Sequence, residues 1–120
     1  MRFSRVTDLV RLDPASVGGR KRVVVEFRVT DFDHSTSDPL GMELNEIPDG
    51  SSVVVDLTAV NSVNSGVLGA ILALSTRMRS TGGLLRLCGV NRQIAEVLKI
   101  TQLEKLWQVS NNRTEALAAA

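Results

Sequence analysis

At 120 residues, the chain suits one compact domain spanning residues 1–120 and leaves no room for a second. A composition of 43% hydrophobic and 22% charged residues excludes bulk disorder. Fourteen basic against thirteen acidic residues, a net charge of +1 and an aromatic fraction of 3% with no Tyr exclude the basic, stacking surface of a nucleic-acid binder.

Within Arg2 to Leu12, Phe3, Val6, Leu9, Val10 and Leu12 fit no single period, and one strand is expected there with uncertain limits. SVGGRKR then reads as a turn into RVVVEFRV, Arg22 to Val29, whose Val and Phe content predicts a strand. From Ser35 to Ile47, Leu40, Met42, Leu44 and Ile47 follow several N-cap candidates and Pro39, which predicts a short helix. Pro48-Asp49-Gly50 stops it. Val53 to Leu57 carries three consecutive Val residues, the pattern of a central strand covered on both faces.

GVLGAILALSTRMRS places Leu68, Ile71, Leu72, Ser75 and Met78 at helical spacing, widened by Val67 and Leu74, so a buried helix is expected over Gly66 to Arg79. Gly82-Gly83 ends it, LLRLCGV reads as a strand, and RQIAEVLKI as a helix with Ile94, Val97 and Leu98 on one face. A short strand, WQV, and a closing helix within NNRTEALAAA complete the chain. Strands alternating with helices predict an α/β fold with a mixed sheet and helices mainly on one face.

No apolar run approaches the roughly 18 to 20 residues of a spanning helix, and the amino terminus lacks a signal-peptide block, so a cytoplasmic protein away from the membrane is expected. Charge is unevenly distributed. Seven acids (Asp31, Asp33, Asp38, Glu43, Glu46, Asp49 and Asp56) fall between Val29 and Thr76 without one Lys or Arg, whereas Arg77 to Arg113 holds seven basic residues and two acidic. Such asymmetry either steers a charged protein partner or pairs off within the fold.

Catalytic chemistry finds little support. His34 is the single histidine, and no G-x-S-x-G elbow supplies a nucleophile for it. Cys88 sits in an apolar strand pattern, without a second Cys for a metal cage or redox motif, and reads as core. The GVLG glycines lack the GK[ST] ending of a phosphate loop, so no cofactor is expected, and Trp107 reads as core. The informative place is Asn64-Ser65-Gly66, where a polar loop meets the buried helix. Unpaired N–H groups there would accommodate a phosphate on Ser65, while Ser65 or Asn64 could equally serve as the helix cap.

VVVDLTAVNSVNSGVLGAIL, Val53 to Leu72, resembles the signature of STAS domains, the family of bacterial anti-sigma factor antagonists, in which a strand enters a D-S-S-G-L-G loop and then a helix. Asp33-His34-Ser35-Thr36 resembles the family's D-x-x-T loop, and RSTGGLLRLCGVNRQIAEVLKITQLEKLWQV its closing half. The resemblance implies a STAS-like fold and a non-catalytic regulator that binds an anti-sigma factor with serine kinase activity and is released from it by phosphorylation. It aligns Ser65 with the phosphorylated serine, Asn64 with the preceding acid, Gly66 with a second serine and Val67 with a glycine. The implied partner surface comprises Asp33, Thr36, Asp38 and Glu43 with Asn64, Ser65 and Gly66. A STAS scaffold that assembles with itself or other regulators, without phosphorylation, is the alternative, and oligomeric state is left open.

Overall fold

The computed structural model describes residues 5–6, 10–14, 22–28 and 37–119. Six strands, β1 (Arg5–Val6), β2 (Val10–Pro14), β3 (Arg22–Phe27), β4 (Ser52–Asp56), β5 (Leu84–Cys88) and β6 (Gln108–Ser110), lie side by side in chain order. The first three form an antiparallel meander, and β3 to β6 are parallel. The irregular apolar spacing near the amino terminus thus resolves into two strands rather than one, paired with Arg5 opposite Leu12. The turn expected before β3 and the loop bearing Asp33, His34 and Thr36 lie outside the described residues.

Parallel neighbours need crossovers, and helices α1 (Ser37–Leu44), α2 (Ser65–Ser80) and α3 (Arg92–Ile100) supply them. Right-handed crossovers that always step the same way along a sheet leave their helices on the same face. Accordingly Leu40 and Leu44 of α1, Ile71 and Met78 of α2, and Ile94 and Leu98 of α3 join one core with Val23, Val25, Val53, Val55, Leu85 and Leu87. Helix α4 (Arg113–Ala119) is no crossover and covers the opposite face, where Ala116 packs with Val24, Val54 and Cys88. The mixed sheet with helices mainly on one face is as expected. Strand β4 is interior, and its three valines are at most 1% exposed.

Differences from the expected elements are local. Helix α1 is shorter, and Ile47 enters the core from beyond its end. Trp107 is buried just before β6 rather than within it. In α2 the buried line is Val67, Ile71, Leu74, Ser75 and Met78, while Leu72 is 37% exposed. The apolar stripe is wide enough to be centred one residue away, and the line through 67, 71, 74 and 78 is the one that meets the sheet. Among the described residues no helix is long and apolar enough to cross a membrane.

Candidate functional site

The site is built where β4 hands the chain to α2. Beyond β4, Leu57 N–H still donates to the Cys88 carbonyl (2.9 Å), extending the β4–β5 contact. Asp56, 7% exposed, turns its carboxylate to the chain ahead: Oδ1 accepts from the Thr58 N–H at 2.9 Å and from the Thr58 hydroxyl. Val60 N–H closes a turn on the Leu57 carbonyl (2.9 Å), and Val60 and Val63 anchor the loop in the core. A polar loop is thereby tied down at intervals by apolar side chains and delivers Asn64 to the start of the helix.

Asn64 has an extended backbone (φ −110°, ψ 175°), and its side chain accepts from the Val67 N–H at 2.9 Å. Of the two capping candidates, Asn64 is therefore the cap, because an N-cap oxygen reaches the N–H three residues on. Ser65 becomes the first helical residue. It is exposed, and its hydroxyl makes no hydrogen bond among the described residues. Gly66 is half-buried behind it, and Val67 plugs into the core. The stretch thus divides its duties: Asn64 holds the helix, Val67 holds the core, and Ser65 presents a hydroxyl beside the helix's unpaired N–H groups.

A second turn braces the first. Gly89, after β5, has φ +68°, and a Cβ there would lie 2.7 Å from the Thr58 nitrogen, so the two turns touch backbone to backbone. Asn91 caps α3 by accepting from the Ile94 N–H at 2.8 Å. Its amide also donates to the Asn61 carbonyl at 2.8 Å and the Val60 carbonyl at 3.2 Å. Sequence reasoning missed Asn91. An Asn directly before a helical pattern signals a cap, but nothing in the sequence shows that its other atom faces a loop 30 residues upstream.

Asn64, Ser65 and Gly66 are together by chain continuity. Glu43 is half-buried on α1 and leaves Oε2 buried without a hydrogen bond. Next to it, the Leu44 carbonyl accepts from Arg77 (3.0 Å), about 18 Å of helix from Ser65. Asp38 lies in α1; Asp33 and Thr36 fall outside the described residues. The acidic stretch is less free than its sequence suggests. Asp56 is folded into the end of its strand, and Asp49 pairs with Arg77 at 3.2 Å, so the basic half of the chain neutralises part of the acidic half. Among the described residues no group of three or more His, Cys, Asp or Glu could hold a metal ion.

The STAS domain family matches residues 17–116. An anti-sigma F factor antagonist from Paenibacillus polymyxa is 28% identical over 90 residues, 72% of this chain and 77% of that protein. Among solved structures, an anti-sigma-factor antagonist (STAS) domain protein from Planctomyces limnophilus aligns with a TM-score of 0.69 at 19% identity, covering 90% of this chain and 96% of that one. The Bacillus cell fate determinant SpoIIAA in its phosphorylated form aligns with a TM-score of 0.63 at 13% identity, covering 92% and 97%. The two structures share the fold, and the family match spans most of the sequence. This chain belongs to the STAS domain family and is similar to its anti-sigma factor antagonists.

Proposed function

We propose that this protein is a non-catalytic antagonist that binds an anti-sigma factor with serine kinase activity, and that phosphorylation of Ser65 ends the binding. The observation that carries this reading is the exposed Ser65 hydroxyl, unbonded at the first position of a helix that Asn64 already caps. Modifying Ser65 takes nothing away from the helix. A phosphate there brings about −1.5 to −2 charges to the positive end of the helix dipole, where the fold can accommodate it. The same charge and bulk at a docking surface oppose association, so release is electrostatic and steric rather than an unfolding. SpoIIAA, a structural neighbour, has been solved both unphosphorylated and phosphorylated, which fits a fold that tolerates the modification.

The docking surface in this reading runs from the Asn64–Gly66 turn over α1, with Asp33, Thr36, Asp38 and Glu43 as contacts. Helix α1 packs on α2, and an open groove lined by Met42, Leu44, Ala70, Ala73 and Arg77, with Met42 72% exposed, supplies apolar area between the two helices. The test incubates the protein with each candidate anti-sigma kinase and ATP, maps any phosphate by mass spectrometry and measures binding before and after. Binding falls for the parent and stays level for Ser65→Ala. Equal responses would place the switch elsewhere, and binding without any phosphate transfer would favour a scaffold. Asp38→Lys and Glu43→Lys slow association at low salt, with rates converging on the parent's at high salt.

A further inference from the structure

The Ser65 loop is held from outside as well as by its own residues. Asn91 reaches it from beyond the loop: its amide donates to the Val60 and Asn61 carbonyls while its Oδ1 caps α3. Donors and acceptor belong to one planar group, so the amide cannot turn to favour the helix without leaving the loop. Asn91 is itself exposed, and its backbone carbonyl accepts from the Ala95 N–H at 2.9 Å, so both its main chain and its side chain are committed to the start of α3. Gly89 keeps the two turns close enough for this contact, since any side chain there would push against Thr58.

We propose that Asn91 is a positioning residue that fixes the loop in the shape in which Ser65 is presented, coupling the start of α3 to the start of α2. The assignment of Ser65 as acceptor rests on the function proposed above; the mechanical coupling does not. Val60 lies between its own turn bond to Leu57 and the Asn91 clamp, three residues ahead of the Val63 anchor and four ahead of the Asn64 cap. Releasing the clamp removes two hydrogen bonds that hold residues 58–63 from a different turn of the fold. Ser65 then samples orientations that the clamped loop excludes.

Two substitutions separate the roles. Asn91→Ser keeps a capping oxygen for α3 and removes the amide that reaches the loop; Asn91→Ala removes both. In hydrogen exchange on the isolated protein, the Val60 and Val67 amides speed up by about tenfold in both variants, the scale of one lost hydrogen bond. The Ile94 amide, which reports the α3 cap, speeds up only in Asn91→Ala. With the kinase, the KM for the protein as substrate rises in both variants while kcat stays near the parent's, because a loop that visits the competent shape less often binds less well once there is a choice of shapes. Unchanged Val60 and Val67 exchange in Asn91→Ser overturns the proposal, whatever the kinase does. Faster exchange with no transfer to the parent's Ser65 sustains the coupling and removes the function proposed for Ser65. Faster exchange with unchanged kinetics on a phosphorylated parent overturns the positioning role alone.

Discussion

The two ends of α2 are built to opposite specifications. At its carboxyl end Met78 is fully buried, Arg77 reaches both the Leu44 carbonyl and Asp49, and the Thr81 hydroxyl accepts from the Gly50 N–H at 2.7 Å. Side chains there bind the helix to the segment between α1 and β4. At its amino end the cap comes from Asn64, Asn91 holds the loop, and Ser65 is left facing solvent. One end anchors and the other presents. A helix can do both because its stability comes from the buried line through its middle, which leaves the first turn free to serve a partner.

The contrast is tested most severely inside that line. Met78→Ala removes a fully buried side chain and is expected to destabilise the domain by about 2 to 5 kcal/mol, read as a lower denaturant midpoint at constant slope. Leu72→Ala, at a position 37% exposed, costs less than about 1 kcal/mol in the same melts; a loss equal to that of Met78→Ala would mean that the stripe is centred elsewhere. At the presenting end, Asn64→Ala loses the cap and costs about 1 kcal/mol, whereas Asn64→Asp, which keeps the acceptor, stays close to the parent.

Arg77→Ala sharpens the anchoring end. Its pair with Asp49 is exposed, and its bond to Leu44 is partly buried, so about 0.5 to 1 kcal/mol is expected, part of it disappearing with added salt. The smallest effect belongs to Ser65→Ala. Because Asn64 and not Ser65 is the cap, the midpoint shifts by less than about 0.5 kcal/mol. A shift of a full cap's worth would show that the hydroxyl serves the helix after all, and would weaken Ser65 as a residue kept for presentation.

Much of this fold was legible from local chemistry. Three consecutive valines mark an interior strand, since only burial on both faces tolerates an apolar side chain at every position, and β4 has that burial. Alternating strand and helix patterns imply parallel crossovers, and the meeting of a polar loop with an apolar helix at Asn64-Ser65-Gly66 marks a helix start. What stayed hidden depended on groups distant in sequence. The amino-terminal strands are defined by pairing with each other and with β3, so their own periodicity is weak. The rotation of α2 by one residue follows from how the sheet receives it, because a stripe of apolar residues this wide satisfies two neighbouring faces equally.

At the site the division is the same. The sequence by itself determined that an acceptor hydroxyl and a good capping residue stand side by side at the start of a buried helix, because residue type and periodicity are properties of the chain. Only the tertiary structure decided that Asn64 caps while Ser65 is exposed, that Asp49 pairs with Arg77 and Asp56 with Thr58, and that Asn91 clamps the loop. The Asn64 and Asp56 bonds are local and select among candidates that the chain leaves equal. The Asp49–Arg77 pair and the Asn91 clamp instead join groups 28 and 30 residues apart, at distances of about 3 Å that exist only once the sheet has assembled.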